Sequence, residues 1–152
     1  MDNLLPVRRL LAESSDPDNP SAETLADLLR TVRHIAVIGL SRDPTKVARR
    51  VPSYLAAKGY DVTPVNPYAE RILGRDAFAT LSDVSEPVDL VVIFRPSDQA
   101  GEFVESAAAR VERPAIWLQE GIRADEPAAT ARADGLVVVQ DLCSYKVHRT
   151  LT

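Results

Sequence analysis

Between residues 34 and 140 the chain alternates short, unbroken apolar runs with longer segments of mixed polarity. The first run, HIAVIGL from His34 to Leu40, is continuous and rich in β-branched residues. That is the pattern of a strand buried on both faces. Four comparable runs follow: YDVTPV from Tyr60, VDLVVIF from Val88, AIWLQ from Ala115 and LVVVQ from Leu136. Between them lie segments with helical periodicity: VPSYLAAKG over 51–59, SDQAGEFVESAAAR over 97–110 and EPAATARADG over 126–135. The first and last of these run into Lys58-Gly59 and Asp134-Gly135, where glycine can stop a helix. Pro52 is placed in the first turn of its helix, where a missing N–H costs little. A weaker sixth strand is expected in RDAFAT, residues 75–80. Strands that alternate with helices pair in parallel through right-handed crossovers. The pattern therefore predicts an α/β, Rossmann-like, doubly wound sheet, mainly parallel, of five or six strands with helices on both faces.

Residues 1–20 read as an appendage to a domain spanning 21–152. A short amphipathic piece, LLPVRRLLAE, runs into the turn-forming SSDPDNP. Asn19-Pro20 suits a helix start. The helix predicted over 21–30 puts Leu25, Leu28 and Leu29 on one face.

Composition narrows the function. With 18 basic and 22 acidic side chains the net charge is −4, which leaves no broad basic surface for nucleic acid. A single cysteine excludes an intrachain disulfide and suits a reducing cytoplasm. His34 and His148 lie far apart, without companions at metal-ligand spacing, so no metal site is expected. No apolar run approaches the roughly 20 residues that span a bilayer, and the acids near residue 1 argue against a transit peptide. A cytoplasmic protein without membrane contact is expected.

In an open α/β sheet the ligand lies beyond the carboxyl ends of the strands, where the strand order reverses. The residues following the strands are Gly39-Leu40-Ser41-Arg42, Asn66-Pro67-Tyr68, Phe94-Arg95-Pro96-Ser97, Gln119-Glu120-Gly121 and Asp141-Leu142-Cys143. Loops at strand ends are polar in most proteins, so composition alone decides little here. The stretch VIGLSRDPTKVARR carries more, because Arg42, Lys46, Arg49 and Arg50 cluster around a helix start. A helix N-terminus already attracts anions. Lys46 in the loop and Arg49 in the first turn oppose the helix dipole unless an anion is bound, while Arg42 and Arg50 are equally well read as solvated cations. NAD fits poorly: the second and third glycines of its fingerprint are absent, and the second strand ends in Asn66-Pro67 rather than a carboxylate. An adenine nucleotide with a further phosphate is not repelled, with Arg71 and Arg75 close behind. NADP and coenzyme A both qualify.

VIGLSRDPTK, GYDVTPVNP, ILGR, VDLVVIFRP, AIWLQEGI and VVVQDLC occur in the order found in small stand-alone CoA-binding proteins. The resemblance covers roughly residues 24–150, and that family is in turn similar to the CoA-binding domain of the succinyl-CoA synthetase alpha subunit. It implies a Rossmann-like fold with CoA as the ligand. By the resemblance, Gly39, Leu40, Ser41, Lys46 and Arg49 belong to the phosphate loop and its helix. Asn66 and Pro67 fall beside the adenosine, and Phe94, Arg95 and Pro96 form the wall next to adenine or pyrophosphate. Gln119-Glu120-Gly121 falls nearer the pantetheine arm. Ala48 and Pro52 depart from the family pattern and leave the start of that helix open. The synthetase's phosphohistidine domain has no counterpart here.

No catalytic group is expected. His34 opens a buried strand, and His148 reads as a surface or capping residue. Asp141 and Glu120 could face one another across neighbouring strands, but such residues more often cap helices. Cys143 reads first as a small buried residue, with exchange against the CoA thiol as the sharper alternative. Trp117, Tyr54 and Leu55 read as core. The resulting expectation is a binder of CoA or an acyl-CoA that acts as carrier, sensor or accessory subunit, with a protein partner or a homo-oligomer as its possible assembly. The alternatives are an NADP-dependent oxidoreductase and an interaction module with a vestigial nucleotide site.

Overall fold

The five apolar runs form one parallel sheet in the computed structural model, which describes residues 3–152. In chain order the elements are α1 (Leu5–Glu13), α2 (Ala22–Thr31), β1 (His34–Ile38), α3 (Val47–Ala57), β2 (Asp61–Val65), β3 (Arg71–Ile72) and β4 (Arg75–Asp76). A 3₁₀ turn at Leu81–Asp83 leads to β5 (Leu90–Ile93), α4 (Ser97–Ala108), β6 (Ala115–Leu118), α5 (Asp125–Ala133), β7 (Val138–Val139) and α6 (Ser144–Thr150). The sheet order is β2-β1-β5-β6-β7, all pairs parallel. Strand order reverses between β1 and β5, so the crevice required by the fold opens above Ile38 and Ile93.

The strands are apolar throughout because both faces are covered. Side chains alternate along each strand: Ile35, Val37, Leu90, Val92 and Trp117 face a core completed by α1, α2, α3 and α6. Ala36, Ile38, Val91, Ile93 and Ile116 face a second core under α4 and α5. Helices therefore sit on both sides of the sheet, as the periodicity predicts.

The sixth strand is reduced to less than the sequence suggests. Arg75–Asp76 pairs antiparallel with Arg71–Ile72 in a separate two-stranded hairpin, and only Phe78 bridges in parallel to Val65. Its N–H donates to the Pro64 carbonyl at 3.0 Å, and its carbonyl accepts from Asn66 N–H at 2.8 Å. Pro64, with no N–H to offer, is tolerated because β2 borders the sheet.

Two helix starts differ from the expectation. Ser21, not Asn19, caps α2, its side chain accepting the Thr24 N–H at 3.2 Å; Asn19 instead turns towards β7. Helix α3 begins at Val47, one turn before the predicted 51, so Pro52 is its sixth residue and lies in the helix interior rather than the first turn. Gly59 (φ +100°) and Gly135 (φ +89°) end α3 and α5 in the left-handed region, as the Lys-Gly and Asp-Gly pairs suggest.

Of residues 1–20, Met1 and Asp2 lie outside the described residues. The remainder of that segment lies against the domain. Val7 of α1 is fully buried in the first core. Asp16, 3% exposed, accepts Gln140 Nε2 at 2.9 Å and Arg132 Nη2 at 3.0 Å. Asn19 Nδ2 donates to the Gln140 carbonyl at 2.9 Å, while its Oδ1 accepts the Gln140 N–H at 2.8 Å.

Candidate functional site

The loop leaving β1 is fixed by its closeness to the end of β5. Gly39 has φ +84°, and a Cβ there would sit 2.7 Å from the Phe94 carbonyl oxygen. Only glycine satisfies both the backbone angle and the approach. The next three residues are each tied down separately. The Leu40 carbonyl accepts Asn66 Nδ2 at 3.0 Å, Ser41 N–H donates to the Ala48 carbonyl at 3.0 Å, and the Arg42 carbonyl accepts Arg49 Nη1 at 3.3 Å. Short side-chain turns complete the loop: Ser41 Oγ accepts Asp43 N–H at 3.0 Å, and Asp43 Oδ1 accepts Thr45 N–H at 3.0 Å and Thr45 Oγ1 at 2.7 Å.

Helix α3 then starts at Val47, its N-cap Lys46 giving no side-chain cap and its first turn holding no acidic residue. Its uncapped N–H groups and the cations beside them make this end of the helix favourable to an anion.

A cavity of about 860 Å³ opens at this point, bounded by α3, the β5 and β6 ends and α6. That falls within the range of small-molecule sites, about 300–1,000 Å³. Its charged lining consists of Lys46, Arg50, Arg95 and Lys146 against the single carboxylate of Glu120. Lys146 Nζ lies 2.8 Å from Glu120 Oε1, and this hydrogen bond and charge hold the ammonium above its ordinary pKa despite partial burial. Val47, Val51, Tyr54 and Ile122 supply apolar wall. The donor set therefore suits a polyanion with an extended, less polar arm: cations and open helix N–H groups beside an apolar channel.

The structure divides the predicted residues into wall and scaffold. Lys46, Phe94, Arg95, Pro96 and Gln119 line the cavity. Gly39, Leu40, Ser41, Arg49 and Asn66 shape the loop behind it. Leu40 is fully buried in the core, and its carbonyl is taken by Asn66. Asn66 also accepts the Tyr68 N–H at 2.8 Å, holding the turn in which Pro67 is exposed. Gln119, 4% exposed, accepts from Ser144 N–H at 3.0 Å and Ser144 Oγ at 2.6 Å, which anchors the start of α6 to β6. The Nε atoms of Arg49 and Arg95 are buried without a hydrogen-bond partner among the described residues. Arg95 otherwise bonds Gln99 and lies over the Phe103 ring.

Several expectations change. Tyr54 is not purely core: it lines the cavity, and its hydroxyl shares a hydrogen bond with His148 Nδ1 at 2.7 Å. Burial and the Lys58 charge hold the His148 imidazole below its ordinary pKa. Arg71 is paired with Asp76 within the hairpin, and Arg75 with Asp61 at the start of β2. Asp141 and Glu120 do not form a pair; Asp141 Oδ1 accepts Gly121 N–H at 2.6 Å and Oδ2 accepts Ser15 N–H at 2.8 Å. Cys143 is 8% exposed and reaches the cavity wall. Trp117 is fully buried, its Nε1 donating to the Leu142 carbonyl at 2.8 Å. Sequence reading missed Arg50, Tyr54, Tyr145 and Lys146 as wall residues. Only the spacing of Lys46, Arg50 and Tyr54, four apart on one face of α3, carries a signal for part of that set.

Fold and crevice together define a Rossmann-like α/β protein with an anion-attracting site at the switch point. The CoA binding domain family matches residues 33–149, and the chain belongs to that family. It is 34% identical over 134 residues to the uncharacterized protein YneT of Bacillus subtilis, covering 86% of this chain and 96% of that one. The solved structure of cell-free ID.343 from Thermus thermophilus superposes with a TM-score of 0.81 at 37% identity, over 88% of this chain and all of that one. The dinucleotide-forming acetyl-coenzyme A synthetase 1 of Ca. Korarchaeum cryptofilum, solved in complex with phosphate and ADP, superposes at 0.61 and 26% identity. There the match covers 74% of this chain but 27% of the synthetase chain, so that enzyme's activity does not carry over. Family membership supports CoA binding in general terms. Among the described residues no helix is long and apolar enough to cross a membrane.

Proposed function

We propose that the protein binds coenzyme A or an acyl-CoA in the crevice above β1 and β5 and serves as a carrier, sensor or accessory subunit. The observation that carries this reading is the charge of the cavity: four cations against one carboxylate, in a chain of net charge −4. Lys46 and Arg50 would hold phosphates beside the uncapped start of α3. Phe94, Arg95 and Pro96 would wall the nucleotide, with Asn66 and Pro67 at the turn beside the adenosine. Gln119 would face the pantetheine arm, with Tyr54 and Ile122 on the apolar side. Gly39, Leu40, Ser41 and Arg49 would act by shaping the loop. When bound, CoA supplies a thiol that carries acyl groups as thioesters; the protein's part is to bind and orient it.

Calorimetry on ligand-stripped protein with CoA, acetyl-CoA, dephospho-CoA and NADP tests the reading. CoA is expected to bind more tightly than NADP. Lys46→Ala should weaken CoA about fivefold, the worth of one partly exposed charge, with the difference shrinking at high salt. NADP binding as tightly as CoA would refute the ligand assignment. Unchanged affinity in Lys46→Ala at every salt concentration would remove Lys46 from the site.

A further inference from the structure

A proline in the interior of a helix removes one i→i−4 hydrogen bond, and its ring presses on the carbonyl four residues back. In α3 the proline is Pro52, so the carbonyl concerned is that of Ala48. This carbonyl is nonetheless satisfied, by the Ser41 N–H of the β1–α3 loop at 3.0 Å. The donor missing from the helix has been replaced by one from the loop. Asn66 and Arg49 hold the carbonyls on either side, of Leu40 and Arg42, but each does so through a side chain. The Ser41–Ala48 bond is a backbone link from the loop into the first turn of the helix, beside that of Lys46 N–H to the Asp43 carbonyl at 3.1 Å, and the cavity-lining Thr45, Lys46 and Val47 lie between the two ends of the former.

We propose that Pro52 is a positioning residue for the ligand. By denying the Ala48 carbonyl its helical donor, it reserves that acceptor for Ser41 and pins the loop across the first turn of α3. Lys46 and the open N–H groups of α3 are thereby fixed in the cavity wall before any ligand arrives. Pro52 does not touch the ligand. The proposal rests on the CoA reading for its effect on affinity, whereas the pinning itself does not.

Pro52→Ala tests both parts, because alanine restores the N–H and is a far better helix former. Three quantities are compared between parent and variant: hydrogen exchange of the Ser41 amide by NMR without ligand, CoA affinity by calorimetry, and the thermal midpoint. Competition for the Ala48 carbonyl should speed Ser41 exchange by about five- to tenfold, the worth of one net hydrogen bond. CoA affinity should fall by a similar factor while the thermal midpoint holds or rises. A scaffold role alone would not separate affinity from stability in this direction. Unchanged Ser41 exchange would overturn the pinning. Faster exchange with undiminished affinity, or affinity lost only in step with the thermal midpoint, would overturn the link to the ligand. A parent protein that takes up no CoA would refute the binding reading instead, and the Ser41 exchange ratio would still decide the pinning.

Discussion

Replacing Gly39 with alanine should cost more than its single methyl suggests. At φ +84° an L-residue pays about 1–2 kcal/mol for the left-handed backbone. The new Cβ would lie 2.7 Å from the Phe94 carbonyl oxygen and 3.1 Å from Arg95 Cδ. The arginine can swing aside, but the carbonyl belongs to the end of β5 and cannot yield without moving the strand. Overpacking of this kind costs about 1–3 kcal/mol. Together these remove about 2–5 kcal/mol from a domain whose total stability is about 5–15, and lower the thermal midpoint by about 5–15 °C for a chain this size. Gly59→Ala is the matched control: φ is +100°, yet no described atom lies within 4 Å of the added Cβ. It should lose only the backbone share, about 1–2 kcal/mol. Denaturant unfolding of parent and both variants measures the difference. Equal losses at Gly39 and Gly59 would refute the view that close approach between the β1 and β5 ends dictates this glycine.

Two further outcomes concern titration and the N-terminal segment. His148 has a folded-state pKa depressed below its ordinary 6.5, so the unfolded chain takes up a proton first; stability is full above 6.5 and falls as pH drops from there through the folded value. Thermal midpoints between pH 7 and 5 should decline in the parent and stay flatter in His148→Gln; identical profiles would show that the Tyr54–His148 pair does not govern this range. At Asp16, burial raises the carboxyl pKa, but hydrogen bonds from Gln140, Asp18 N–H and Arg132 outweigh it and keep the group ionised. Asp16→Ala should therefore cost about 3 kcal/mol by removing the buried carboxylate that Arg132 and Gln140 share, against less than about 0.5 for the exposed Asp18→Ala; similar losses at both positions, measured by urea unfolding, would refute the buried clasp.

Strand and helix order was legible because buried parallel strands have no polar face. HIAVI, LVVI and AIWL admit few other readings. The loop residues were legible for a different reason, since the fold dictates which strand ends converge. What sequence could not show was how a residue does its work. Leu40 and Asn66 belong to the site's framework, not its surface, because Leu40 is drawn into the core and Asn66 spends its amide on the Leu40 carbonyl. Lys146 and Tyr145 were invisible as wall residues, since they come from the far end of the sequence and reach the cavity only when α6 docks. Pro52 misled outright: a proline ordinarily marks a helix start, and here the Ser41 N–H makes an interior position tolerable. The stretch SSDPDNP was read as a bare turn region for a similar reason. Its polar residues have partners 108 to 126 positions away, as in Arg123–Ser15 and Ser15–Asp141, and no local pattern reports such pairs.

Those distant pairs bear on how the chain acquires its structure during synthesis. Ser14, Asp16 and Asn19 meet Gln140, and Ser15 meets Asp141. The earlier segment must therefore wait for the later one. Until residue 140 has left the ribosome, the Asp16 carboxylate has no buried environment to enter, and α1 has no α6 to cover Val7. Contacts of such sequence separation slow folding and prolong the exposure of apolar strands. The latch closing last is also the one joining Ser15, through Asp141, to Gly121 at the cavity rim. A nascent chain can thus assemble its sheet early, yet complete the rim of the crevice only once Asp141 has emerged.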